Sequence, residues 1–250
     1  MIPPPFAVGP YAHSNSENST LDLVFHKDRI HHFISTGWTR QAFHATATVD
    51  ERLFGVCPTA HEHVPYHSIV DNPKRKVFAA TVAYEGQDMP WPKRVCIKFA
   101  TGPDGVGQLA RECQFYSYEL RHLYGLAVPS FYGMYTGSVG SNVAACLVLE
   151  LCTGTDVILK DVEEFNRLVM LAACRVHQAG ILHRGLGDYH HFVMKDKSVY
   201  LVDFARAERH ACRNGVPALA EVNYRSPPVI ECWELYEAER RFGLLSGSRP

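Results

Sequence analysis

Alternating apolar and polar positions predict a series of strands in the first 150 residues. Alternation over residues 42–49 is followed by apolar runs at 77–84 and 94–99, and then at 128–135 and 143–151. A period of two places every second side chain on one face of a strand. Glycine, proline, aspartate and asparagine separate these runs and favour turns between them. The pattern therefore predicts five strands.

Apolar residues that recur every three or four positions predict helices. The first helix spans residues 106–124, and Gly125 supplies a C-cap signal. The second begins after an N-cap residue, Asp161, and its apolar face stops at Gly180. A last helix is built around a further apolar set: Val229, Cys232, Trp233, Leu235, Tyr236 and Phe242.

Composition favours a globular protein inside the cell. The 250 residues are 46% hydrophobic and carry a formal net charge of -1, so no global field attracts nucleic acid or an anionic membrane. The eight cysteines are scattered, several of them in apolar runs, which indicates buried thiols in a reducing compartment. Residues 1–20 lack a signal-peptide pattern and predict a disordered arm. We expect a cytoplasmic protein without nucleic-acid or membrane partners.

Two groups of histidines and cysteines raise the question of metal binding. Residues 50–76 contain the first group, but its spacing matches no established zinc motif, so we interpret this stretch as a polar surface insertion. Its members are Cys57, His61, His63 and His67. The second group is interpreted as a packed, histidine-rich edge of the core rather than as metal ligands. Its members are His183, His190, His191, His210 and Cys212.

Residues 181–207 carry the most specific motif. Two short apolar runs, at 192–194 and 199–202, are bordered by His183-Arg184-Gly185 on one side and Asp203-Phe204-Ala205 on the other. This arrangement resembles the catalytic loop and the metal-binding motif of protein kinases, H-R-D-L-x-x-x-N followed by D-F-G. Glycine replaces the aspartate at Gly185, histidine replaces the asparagine at His190, and alanine replaces the last glycine at Ala205.

Earlier segments match the same family less closely. Lys98 ends the apolar run Val95-Cys96-Ile97 and resembles the kinase lysine that reaches the phosphates of ATP. Glu112, 14 residues later, resembles its glutamate partner, with Glu119 as the competitor. Gly37 is the only glycine left of a phosphate loop, and a plain strand-turn-strand is the alternative there. Glu150 and Cys152 occupy the position of the hinge that binds adenine.

The resemblance implies an α+β, bilobal protein-kinase-like fold. Its N-lobe, an antiparallel sheet plus one helix, would span residues 21–152, with the insertion inside it. A shortened, mostly helical C-lobe would span residues 153–250. The short C-lobe is similar to that of divergent kinase-like proteins of mushroom-forming fungi.

The cofactors implied are ATP and magnesium. Lys98 would contact the phosphates, Glu112 would orient Lys98 and keep it protonated, and Asp203 with His190 would hold the metal. Gly185 has no side chain to act as the base, which leaves Asp188 as the only carboxylate in a loop that also contains His183 and Arg184.

The degraded loop predicts a pseudokinase or a weakly active enzyme that binds a nucleotide and acts on a protein partner. Two alternatives stay open. One is an active, atypical phosphotransferase that uses Asp188 on a small-molecule or protein hydroxyl group. The other is an interaction module that binds no nucleotide.

Overall fold

A computed structural model describes residues 19–25, 29–36, 43–53, 75–84, 92–152, 162–212 and 232–243. Several predictions fall outside these described residues. They concern most of the arm at 1–20, Gly37, the histidines and cysteine of the insertion, Asp161, and the beginning of the last predicted helix.

A closed barrel of seven strands forms the first half of the fold. Its strands follow one another around the barrel in the order β1, β2, β6, β7, β5, β4 and β3. All neighbours are antiparallel except β3 and β1, whose parallel pairing closes the barrel. The strands are β1 (Thr20–Phe25), β2 (Arg29–Ser35), β3 (His44–Arg52), β4 (Arg75–Tyr84), β5 (Arg94–Thr101), β6 (Phe131–Val139) and β7 (Asn142–Glu150).

Small, branched and aromatic side chains fill the barrel. Leu21 and Leu23 of β1 are fully buried, and Leu21 lies opposite Phe33 of β2 in the register. Ala45 and Ala47 of β3 lie opposite Leu21 and Leu23 in the parallel pairing. Because alternate side chains of a strand point to opposite faces, these residues all face one interior. The burial of this interior fixes the register of β1 and β2.

Three helices and two small strand pairs complete the described chain. Helix α1 (Gly102–Ser117) packs against β7 and β5 of the barrel, whereas α2 (Val162–Gln178) and α3 (Trp233–Phe242) pack on each other. The short strands are β8 (Ile181–Leu182), β9 (Phe192–Lys195), β10 (Ser198–Leu201) and β11 (Glu208–Arg209). Strand β9 pairs with β10, and β8 pairs with β11. No helix in these described segments is long and apolar enough to cross a membrane.

The predicted α+β, bilobal, protein-kinase-like fold is wrong. The described chain is dominated by a closed seven-stranded barrel and contains only three α-helices, so a mostly helical C-lobe is not what the structure shows. The five predicted strands correspond to β3 to β7, but β1 and β2 are additional. They connect β3 to β6 and turn an open sheet into a barrel. The predicted division at residue 152 stays a prediction.

Two predicted boundaries are also wrong. Helix α1 ends at Ser117 rather than near residue 124, because a short 3-10 turn at Arg121–Leu123 replaces its last two turns. The turn between the runs predicted at 128–135 and 143–151 is shorter than those bounds imply. Strands β6 and β7 reach Val139 and Asn142, and the remaining turn contains Gly140 with a φ of 60°.

Candidate functional site

Strand β5 and helix α1 bring two charged side chains together inside the protein. The Lys98 ammonium donates to both oxygens of Glu112, at 2.8 and 2.6 Å. The Lys98 side chain is 11% exposed and the Glu112 side chain is fully buried. A buried charge is costly unless it is paired and hydrogen-bonded, and this pair satisfies that condition. Glu119, the alternative partner, instead binds Arg209 at 2.6 Å.

Asp203 is the third member of this group. It follows β10, and its Oδ1 lies 3.2 Å from the Lys98 Nζ. The side chain is 31% exposed, which makes it the most accessible of the three. Its backbone is left-handed, with φ 70° and ψ 66°, a conformation that is uncommon for residues other than glycine. We call Lys98, Glu112 and Asp203 the ionic cluster.

The ionic cluster keeps its lysine protonated. Burial alone would lower the pKa of Lys98, but the charges of Asp203 and Glu112 outweigh it and hold that pKa above its ordinary value. With both carboxylates ionised, the three side chains sum to one negative charge. The backbone N–H of Phe204 adds a further hydrogen bond to Glu112.

The contacts of His183 and Arg184 hold their loop in place. His183 is buried, its Nε2 donates to the carbonyl oxygen of Val202 at 3.0 Å, and burial lowers the pKa of its imidazole to about 4. Arg184 faces outward and forms an ion pair with Glu208 at 2.7 Å. The backbone N–H groups of both residues donate to the buried carboxylate of Glu234. These contacts fix the loop and leave His183 uncharged near neutral pH.

Steric contacts explain why position 185 is a glycine. A Cβ atom there would lie 2.6 Å from two ring atoms of His191 and 3.0 Å from Nδ1 of His183. The His191 Nδ1 donates to the carbonyl oxygen of Gly185 at 2.7 Å, and its Nε2 lies 3.7 Å from Asp203. The imidazole therefore occupies the space that a side chain at position 185 would need, and it lies beside the ionic cluster.

Other predicted site residues make different contacts. Asp188 is exposed and accepts a hydrogen bond from the backbone N–H of His190 at 2.9 Å, so it caps the turn at Tyr189–His191. At the end of β7, Glu150 pairs with Lys195, and the Cys152 Sγ lies 3.8 Å from the Glu150 carbonyl oxygen. The structure thus brings together Lys98, Glu112 and Asp203, with His191 rather than His190 as their histidine neighbour.

A second cluster joins two residues of the predicted histidine-rich core edge to two that the sequence does not single out. His177, His210, Cys212 and Cys232 each offer one nitrogen or sulfur atom, and these atoms all lie within 4.8 Å of one another. We call these four residues the histidine-cysteine cluster. The H-x-C spacing of His210 and Cys212 is the visible signal in the sequence. Cys232 belongs to the apolar set of the last helix, and His177 carries no signal of its own.

Comparisons with known proteins give no relative to which this geometry can be transferred. No protein-family model matches the chain, and no curated protein matches it. Together with the closed barrel, this overturns the assignment to protein kinases, including the divergent fungal type. The kinase-based functions are therefore wrong as well: an ATP-binding pseudokinase, an atypical phosphotransferase that uses Asp188, and a nucleotide-free module of that fold.

Proposed function

We propose that the ionic cluster binds a divalent cation and, through that cation, a small anionic ligand. The observation that carries this proposal is Asp203, a partly exposed carboxylate on a residue with left-handed backbone geometry. Uncommon backbone conformations of this kind concentrate at binding and catalytic sites, where the surrounding structure maintains them. No chemical transformation is part of the proposal.

Exposure within the ionic cluster gives the direction of access. Glu112 is fully buried, Lys98 is 11% exposed and Asp203 is 31% exposed, so a ligand would arrive from the side of Asp203. Carboxylate oxygens are the donors that hard cations such as Mg²⁺ prefer. Magnesium is therefore the first cation to test, with Asp203 as its ligand. The role of His190 as a second metal ligand stays a prediction.

The charge of the ionic cluster predicts an order of binding. Lys98 is already hydrogen-bonded to three carboxylate oxygens, so it has little remaining attraction for an anion. The cluster alone carries one negative charge and repels anions. A bound divalent cation would change this sum to one positive charge. The anion should therefore bind only after the cation.

The first experiment measures Mn²⁺ binding to the full chain by electron paramagnetic resonance, with Mn²⁺ as a paramagnetic substitute for Mg²⁺. We expect one saturable site whose affinity falls about tenfold or more, at least ~1.4 kcal/mol, in Asp203→Asn. The matched control is Asp188→Asn, an exposed carboxylate in the neighbouring turn, which should bind as the wild type does. Equal affinity in wild type and Asp203→Asn would refute the site.

The second experiment tests the anion. Isothermal titration of inorganic pyrophosphate should give binding heat with the Mg²⁺-loaded chain and none when Mg²⁺ is omitted. A dicarboxylate such as malonate, measured in the same way, distinguishes a preference for phosphate from a preference for carboxylate. Pyrophosphate that binds equally well without the cation would contradict the predicted order.

A further inference from the structure

We propose that the histidine-cysteine cluster is a structural zinc site, separate from the proposed function of the ionic cluster. Its four donors come from three parts of the chain. His177 lies in the last turn of α2, His210 and Cys212 follow β11, and Cys232 directly precedes α3. Two sulfur and two nitrogen atoms around one point form the ligand set that zinc prefers in closed, four-coordinate sites.

The distances fit one tetrahedral ion. The Cys232 Sγ lies 3.6 Å from Nδ1 of His177 and 3.6 Å from Nε2 of His210. Zn–S bonds of about 2.3 Å and Zn–N bonds of about 2.0–2.1 Å place a sulfur and a nitrogen of one tetrahedron about 3.6 Å apart. All four donor atoms lie within 4.8 Å of one another, so small side-chain movements suffice to complete the coordination.

The surroundings of His177 match those of a metal-bound histidine. Its Nε2 donates to the Glu234 carboxylate at 2.9 Å, which leaves Nδ1 as the nitrogen that faces the cluster. Both side chains are buried. A carboxylate on the far nitrogen fixes the ring orientation and makes the imidazole a better donor, as is usual for zinc-bound histidines. Glu234 therefore acts as a positioning residue.

Charge balance favours a metal over a simple packed cluster. Zn²⁺ with two thiolates and two neutral imidazoles has no net charge, so burying it carries little desolvation cost. Binding releases the two thiol protons to solvent. Without the ion, the Cys232 thiol contacts one nitrogen of His177 and one of His210 at 3.6 Å, and a thiol forms only weak hydrogen bonds.

The fold explains how donors far apart in sequence meet. The pairing of β8 with β11 returns the chain to the end of α2, where the His210 N–H donates to the Gly180 carbonyl oxygen at 2.7 Å. Cys232 is brought to the same place because α3 packs on α2. Zinc would thus fasten the start of α3 to the end of α2. Four protein ligands leave no open position, which indicates a structural rather than a catalytic metal.

The test is the zinc content of the full chain, purified without chelator and measured by inductively coupled plasma mass spectrometry. We expect about one zinc per chain in the wild type, and a loss of at least tenfold in occupancy in Cys212→Ala and in Cys232→Ala. The matched control is Cys146→Ala, which removes a fully buried thiol from β7 in the barrel and should keep its zinc. Equal zinc in Cys212→Ala and Cys146→Ala would overturn the site.

A second measurement covers the case in which the variants do not fold. Wild-type protein stripped of metal and reloaded with Co²⁺ should show tetrahedral ligand-field bands and thiolate-to-metal charge-transfer absorption. Glu234→Gln should keep these bands while weakening Co²⁺ binding about 10- to 100-fold. Wild-type protein that takes up no Co²⁺, or takes it up without a thiolate band, would overturn the proposal. Peptide mapping that finds a disulfide between Cys212 and Cys232 in freshly purified protein would also overturn it.

Discussion

The ionic cluster and the histidine-cysteine cluster bury polar side chains in two different ways. In the ionic cluster, one lysine is bonded by two carboxylates at 2.6 to 3.2 Å, so the chain itself supplies both signs of charge. In the histidine-cysteine cluster, four soft donors converge on one point, and the Cys232 Sγ lies 3.6 Å from one nitrogen of His177 and from one of His210. The first cluster is stabilised by its own members, whereas the second is completed by an ion. The following predictions test this difference.

Removal of zinc should have the largest effect on stability. At a free zinc concentration 1,000 times the dissociation constant, binding adds about 4 kcal/mol to the free energy of unfolding. For a chain of this size, that loss lowers the melting temperature by about 8–16 °C. Differential scanning calorimetry of the full chain, before and after chelation, measures the shift. Zinc added back should restore it, and an unchanged melting temperature after verified removal would contradict the account.

Breaking the ionic cluster should come next. Lys98→Met leaves the buried Glu112 carboxylate unpaired beside the partly exposed Asp203, which should lower the free energy of unfolding by about 3 kcal/mol. The double variant Lys98→Met/Glu112→Leu removes the stranded charge with its partner and should recover most of the loss. Urea titrations measure both. As a control, Arg167→Met breaks an exposed pair with Glu164 and should cost no more than about 0.5 kcal/mol.

A double variant as unstable as the sum of its two single substitutions would contradict this interpretation. That result would mean that Lys98 and Glu112 stabilise the fold through separate contacts rather than through each other.

Lowering the pH should destabilise the fold because it protonates His183. Its pKa is about 4 when folded, below the ordinary value of 6.5, so the folded chain binds the proton less readily than the unfolded chain. The uncharged imidazole contributes about 3 kcal/mol to the free energy of unfolding. This contribution is fully present above pH 6.5 and is lost as the pH falls towards 4. Urea titrations across this range, with chelator present to exclude zinc release, should show a shallower pH dependence in His183→Gln. An equal dependence in both proteins would contradict the burial of an uncharged imidazole.

The smallest effect is expected at the glycine beside the ionic cluster. Gly185→Ala places a Cβ 2.6 Å from the His191 ring and should cost about 1–3 kcal/mol of stability. Gly107→Ala, in α1 with no atom within 4 Å of the new Cβ, should be neutral or stabilising. If His191 causes the clash, the added substitution His191→Ala should reduce the cost of Gly185→Ala. Thermal melts of five proteins compare these costs: the wild type, Gly185→Ala, Gly107→Ala, His191→Ala and the double variant.

Local patterns predict much of the fold. Strands β3 to β7 follow from alternation and from turn residues, and the presence of α2 and α3 follows from apolar periodicity. Closure of the barrel could not be predicted from these local patterns, because it depends on β1 and β2. Their alternation, at Leu21, Leu23 and Phe33, is short and adjoins the polar start of the chain. Which strands they pair with is a long-range property that no local pattern contains.

The two clusters also differ in how much of each can be predicted from the sequence. Lys98 and Glu112 are singled out through the order of segments in the kinase resemblance, because a lone charged residue in a strand or beside a helical stripe is usually solvated. The sequence shows that Gly185 has no side chain, and the structure adds that the His191 ring fills that space. His177 and Cys232 lie 55 positions apart and resemble ordinary core residues. Only the packing of α3 on α2 shows that they share a site.

The measurement that tests the account most directly compares two metals in two variants of the full chain. Zinc content and Mn²⁺ affinity are determined for wild type, Cys212→Ala and Asp203→Asn. We predict that Cys212→Ala loses zinc and keeps Mn²⁺ binding, whereas Asp203→Asn loses Mn²⁺ binding and keeps zinc. Loss of both metals in both variants, or of neither metal in either, would contradict the claim that the two clusters are separate sites with different chemistry.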